Sequence, residues 1–217
     1  SASLNTMPSA NDIRAHIERH LGPIQQVFNQ WADESLPISV QHVAPVETRP
    51  VHTLVTLGMS ARAMAVPAQE ESPAFLELMM TLPEHWKLDE ESSNDEEWSW
   101  PIRLLQTLAY RPHKSAGWLG WGHIVPNGEP PRAAAPTTKQ CAALVVPSLL
   151  VPTAFYELTT VDKTIAFYAV VPVYEEEWAL SRASGTQVLL ERIVDHDVND
   201  VLDPKRKNVA KKRFWHF

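Results

Sequence analysis

Apolar residues return at helical spacing over Asp12–Asp33, where Ile13, Ile17, Leu21, Ile24, Val27, Phe28 and Trp31 predict a helix capped by Ser9 or Asn11. Gly22-Pro23 interrupts it, because proline removes a backbone donor and clashes with the preceding turn, so two shorter helices or one bent one are expected. The period then shortens to about 2. "LPISVQHVAP" alternates as a strand, "HTLVTLGMSARAMAVP" reads as a second strand ending at Gly58, and "FLELMMTLP" supplies a third. In that third strand Leu76, Leu78, Met80 and Leu82 share one face while Phe75, Glu77, Met79 and Thr81 share the other, which predicts one fully buried side.

"PEHWKLDEESSNDEEWSW" has no period and sets many carboxylates around the single Lys87, so it is expected as a loop. Ser99 then caps a helix with Pro101 in its first turn, and Ile102, Leu105 and Ala109, flanked by Leu104 and Leu108, form its buried stripe. The helix empties into "SAGWLGWGH", a loop rich in glycine and tryptophan. "NGEPPRAAAPTTK" follows as a flexible connection. "CAALVVP", "AFYELTT" and "KTIAFYAVVPVY" read as strands, the last two joined in a hairpin near Val161-Asp162-Lys163. "YEEEWALSRASGTQVLLERIVDHDV" predicts helix, break at Gly185, helix. Strands and helices without regular βαβ alternation predict an α+β fold: a single domain with a central mixed, largely antiparallel sheet flanked by helices.

Charge changes this picture in one respect. The 217 residues carry a formal −7, but Lys205, Arg206, Lys207, Lys211, Lys212 and Arg213 all follow Asp203; without them 13 basic residues face 26 acidic ones, so residues 1–203 carry −13. Such a body repels nucleic acid and speeds encounter with basic proteins. The basic end is read as a solvated tail. No segment approaches the roughly 20 apolar residues a membrane span requires, and the N-terminus lacks a basic start followed by an apolar run, so a cytoplasmic, membrane-free protein is expected. Cys141, the only cysteine, lies in an apolar run and reads as a small buried hydrophobe.

Signatures of chemistry are mostly absent. There is no His-Glu-x-x-His, no phosphate-cradling glycine loop with a lysine, no Gly-x-Ser-x-Gly elbow and no cysteine pair. "DHD", Asp195–Asp197, sits at a predicted helix end, where histidine favours the dipole and the acids face water. His113 and His123 bracket the tryptophan loop, and a hydrolytic or metal-dependent enzyme built on them would need a third ligand from His85 or the acidic segment. Each is expected instead to hold loop backbone through a hydrogen bond. The eight tryptophans carry more information, because Trp118 and Trp121, held on a loop by glycines, suit a binding cleft.

"HVAP" with "HTLVTLGMSARAMAVP", then "AFLELMMTLPEHW", "WPIRLLQTLAYRP", "GWLGWGHIVPNGEP", "AFYAVVPVYEEE" and "VLDPKRKNV", in that order, resemble the suppressor-of-fused domain in its bacterial form, from about Asp12 to Val209. The resemblance implies a non-enzymatic α+β domain, without cofactor or metal, that holds another protein. Eukaryotic members sequester zinc-finger transcription factors by clasping an extended peptide against strand edges. Bacterial members look like immunity proteins of polymorphic toxin systems, which makes a toxin domain the expected partner; a regulatory scaffold for an endogenous protein is the alternative, and the enzyme the second. The organisation expected is a disordered segment 1–11, the domain 12–203 and the basic tail 204–217. The expected partner contacts are Tyr110, Trp118, Trp121 and His123, with Glu90, Glu91, Glu96 and Glu97 for electrostatic attraction. Eukaryotic members carry an acidic residue just before the loop histidine. Here that position is Gly122, and "AYR" replaces their Arg-Tyr order at the helix end.

Overall fold

The computed structural model describes residues 8–29 and 35–211. In chain order they form α1 (Pro8–His20), β1 (Ile24–Phe28), β2 (Ser39–Val43), β3 (Val51–Leu57), β4 (Leu76–Pro83), α2 (Glu96–Lys114), β5 (Ile124–Pro126), β6 (Ala142–Val146), β7 (Glu157–Thr159), β8 (Thr164–Val173), α3 (Glu175–Ser184) and α4 (Thr186–Asp195). One mixed sheet of eight strands runs β1-β2-β3-β4-β8-β6-β5, with β7 paired to β8 beside that path. Only the β4–β8 pair is parallel; the others are antiparallel. The α+β class holds, with helices on both faces of the sheet.

Strand alternation builds those two faces. Leu76, Leu78, Met80 and Leu82 of β4 join Val40, Leu54, Ala143 and Val145 against Trp100, Leu105, Leu108 and Ala109 of α2. Met79 points the other way, with Val55 and Phe167, onto Ile13 and Ile17 of α1. Farther along the same face, Ala142, Leu144 and Val171 meet Leu189 and Ile193 of α4. Both sides of β4 are therefore covered, and Glu77 is buried with its side chain satisfied. Its carboxylate accepts from Thr56 Oγ1 (2.5 Å), Ser60 Oγ (2.7 Å) and the Gly58 and Ser60 amides (3.0 Å each), so it caps the turn Met59–Ala61.

Four expectations are corrected. The helix does not resume or bend after Gly22-Pro23: α1 starts at Pro8, and Ile24–Phe28 is instead the edge strand β1, antiparallel to β2. Gly22 takes φ +118, which ends the helix, and an edge strand tolerates the missing proline donor. Trp31 lies outside the described residues. The second correction concerns α2, which begins four residues earlier than a Ser99 cap would place it: Asp95 is its cap, accepting the Glu97 amide at 2.9 Å. Glu96 and Glu97 thus belong to the first helical turn, where carboxylates complement the dipole. Third, Arg206 does not belong to a solvated tail. Its guanidinium pairs with buried Glu177 at 2.6 and 2.7 Å and donates to Pro172 O at 2.9 Å, fastening the C-terminal segment to the start of α3. "AFYELTT" is also shortened, to a single turn over Thr153–Phe155 followed by β7.

Candidate functional site

The end of α2 makes the tryptophan corner. The Gly117 amide donates to Pro112 O at 3.0 Å, and His123 N to Gly120 O at 3.2 Å, closing two successive turns. The Gly122 amide then donates to Val145 O at 2.8 Å, and Val145 N to His123 O at 2.9 Å, so the corner is bonded to β6. From the other side Thr186 Oγ1, at the start of α4, donates to Gly122 O at 3.1 Å. Glycine is required twice here. A Cβ on Gly120 would lie 2.7 Å from Trp118 Cζ3, and Gly122 has φ +77 with Thr186 Cγ2 only 3.2 Å from the same point. Trp118 and His123 pack against each other with ring centroids 4.2 Å apart and their planes inclined by 59°. Burial holds the His123 imidazole below its ordinary pKa, against the opposing influence of Glu70 and a Trp118 backbone bond.

Trp121 differs from its neighbours in being 49% exposed. It stands on the rim of a groove of about 250 Å³ between the sheet and α4, floored by Leu144, Val146 and Val171 and walled by Leu190, Ile193 and Val194. Leu149 and Val194, 69% and 63% exposed, complete an apolar rim. The opposite end is rigid: Asp200 accepts from Ser148 Oγ (2.5 Å) and the Leu149 amide (3.0 Å), while Tyr156 OH donates to Ser148 O at 2.6 Å. A contiguous apolar patch on a preformed concavity is the geometry that partner proteins or apolar ligands cover. Leu149, Val194 and Asp200 escaped sequence reading. The pair Leu149-Leu150 in a turn bracketed by Pro147 and Pro152 was the available signal.

The other expected contacts divide. Tyr110 is corrected from surface to core: it is 3% exposed, and its hydroxyl accepts the Ile38 amide at 3.4 Å. Trp118 is half-buried against the same core. Glu90, Glu91, Glu96 and Glu97 are all exposed, but they sit at the start of α2 and the tryptophan corner follows its end. The 19 residues of that helix separate the two by roughly 28 Å. The acids and the corner do not form one site.

The histidines are used structurally. His113 Nε2 meets Met59 O at 3.0 Å, fixing the end of α2 to the Met59–Ala61 turn, so it and His123 serve different neighbours. His196 Nδ1 meets Arg192 O at 2.8 Å, within the last turn of α4. Among the described residues no group of three or more His, Cys, Asp or Glu is placed to hold a metal ion, and no helix is long and apolar enough to cross a membrane. Cys141 is buried, and burial, with Glu175, Glu176 and Glu177 nearby, raises its thiol pKa.

With this geometry in view, residues 34–207 match the family model described as suppressor of fused protein (SUFU). The chain belongs to the suppressor of fused family. Structural likeness extends beyond that span. A suppressor of fused homologue from Neisseria gonorrhoeae FA 1090 superposes with a TM-score of 0.67 at 15% identity, over 94% of this chain and 97% of that one. The Sufu–Fu complex contains a chain matching at 0.65 and 15%, over 93% and 92% respectively. Drosophila Suppressor of Fused gives 0.60 at 14%, with 93% of this chain corresponding to 50% of that protein. Comparison with curated proteins gives no match. The tryptophan corner and the Glu177–Arg206 clasp both lie inside the span that the suppressor of fused family model matches.

Proposed function

We propose that this suppressor of fused protein acts without chemistry, by holding another protein in the apolar groove beside Trp121, and that the partner is a toxin domain which it neutralises. The observation that carries the reading is Trp121 itself: a large aromatic left half in solvent on a corner bonded at both sides to β6 and α4. Buried aromatic anchors in pockets supply most of the energy of protein interfaces, and a preformed surface avoids the entropy of ordering a loop. A protein in complex with a suppressor of fused relative supports the class of function. The finer reading draws on charge, since a body at −13 through residue 203, with exposed Glu90, Glu91, Glu96 and Glu97, raises encounter rates with a basic toxin.

Co-expression tests both levels. The product of the adjacent gene is expressed alone and with this protein, followed by co-purification. The expected result is growth arrest by the neighbour alone, rescue by this chain through a stoichiometric complex, and no rescue by Trp121→Ala. A stable complex with a harmless neighbour would replace immunity by endogenous regulation. Rescue that Trp121→Ala leaves intact would remove the groove.

A further inference from the structure

A second groove lies between α2 and the β5–β6 connection, on the sheet face opposite α4. We infer that it takes an extended acidic segment of a partner protein, with two carboxylates held by Arg103 and Arg111. Two adjoining cavities of about 210 and 100 Å³ share Leu104, Thr107, Asn127 and Ala134; Arg103 lines the first and Arg111 the second, and among the described residues no acidic one lines either. In a chain of net charge −7 that absence has electrostatic meaning. Both guanidinium groups are exposed, and among the described residues neither enters an ion pair or a side-chain hydrogen bond. Trp100 closes one end. It is 2% exposed, and its indole N–H, a donor with no acceptor role, has no hydrogen-bond partner among the described residues.

Spacing specifies the guest. Arg103, Thr107 and Arg111 form one stripe at successive helical turns, which places the two arginines roughly 12 Å apart along α2. An extended chain covers that distance in about four residues at ~3.3 Å each, and positions i, i+2 and i+4 share one side. Carboxylates at i and i+4 would each meet a guanidinium fork, while an apolar side chain at i+2 would rest between them on Leu104 and Val125. The surrounding negative field opposes a long polyanion but admits a short segment with two acids. No lining residue is shared with the Trp121 groove, so this surface stands or falls independently of the function proposed above.

The test is a fluorescence-anisotropy titration of the blocked peptide Ser-Glu-Ser-Leu-Ser-Glu-Ser, carrying a neutral dye, beside a counterpart with Gln at both acidic positions. The intact protein and the Arg103→Gln/Arg111→Gln variant are compared; both substituted side chains are exposed, and an unchanged melting temperature confirms folding. Binding of the acidic peptide, weakened about tenfold or more by the Gln replacements, by the double substitution or by added salt, is the expected result. Equal binding of both peptides, no binding of the acidic one, or full affinity in the double variant would overturn the inference. Displacement by equimolar inorganic phosphate would also overturn it, by making the groove a small-anion site.

Discussion

His42 and His52 show how single residues tie this fold to pH. His52 Nε2–H donates to Glu84 O (3.1 Å), which leaves its Nδ1 to accept from His42 Nε2–H (2.9 Å), while His42 Nδ1 is buried without a partner among the described residues. Both rings are therefore neutral in the fold. Burial, aided by the His52 neighbour, lowers the His42 pKa from 6.5 to about 4, and burial lowers His52 as well. As pH falls through 6.5 the unfolded chain takes up protons that the folded one refuses, so stability present above pH 6.5 is lost progressively towards pH 4. His42 alone accounts for on the order of 3 kcal/mol of that loss. Urea unfolding across this range is expected to show the decline, with a shallower pH slope in His42→Gln; identical slopes would refute the role of the pair. Gly122 is the second instructive residue. Its positive φ and close Thr186 contact leave poor room for any side chain, a constraint no residue pattern displays.

At the scale of elements, the Glu177–Arg206 pair decides whether the C-terminal segment belongs to the domain. Glu177 also accepts the Tyr174 amide and the Val209 amide, both at 2.9 Å, so one buried carboxylate caps α3 and receives the returning chain. Arg206→Ala would leave that carboxylate uncompensated and is expected to cost about 3–5 kcal/mol, read by urea unfolding, with part recovered by adding Glu177→Gln. A loss below about 1 kcal/mol would mean that the pair behaves like an exposed one. Sequence reading grouped Arg206 with its basic neighbours because charge along the chain carries no information about a partner 29 residues away. The strands β3, β4, β6 and β8 were legible from apolar and β-branched runs that are mostly buried, and β2 from the alternation of Leu36, Ile38 and Val40 with other positions. β1 was not: Ile24, Val27 and Phe28 satisfy helical spacing as well as an edge strand that is largely exposed. The start of α2 was hidden because Asp95, its cap, sits among other acids that all read as loop.

At the scale of the whole molecule, a three-layer fold sets apart surfaces of different character. The acidic end of α2, the cationic stripe along it and the apolar groove beside α4 do not overlap. Of these the sequence made the first legible as charge and the third only through Trp121. The groove's other walls come from residues between Leu144 and Asp200, brought together by β6, β8 and α4, so no local pattern could assemble them. Trp118 and Tyr110 resembled Trp121 in type and location, yet they face inward; the pleat and the glycine turns, invisible as composition, decide which aromatic stays outside.

The most direct test of the central claim is the dissociation rate of the native partner from the intact protein and from Trp121→Ala, measured side by side with melting temperatures. A half-exposed anchor contributes little to folding and much to binding, so dissociation is expected to accelerate by about 30-fold or more, near 2 kcal/mol, at an unchanged melting temperature. Equal dissociation rates for the two proteins would contradict the account.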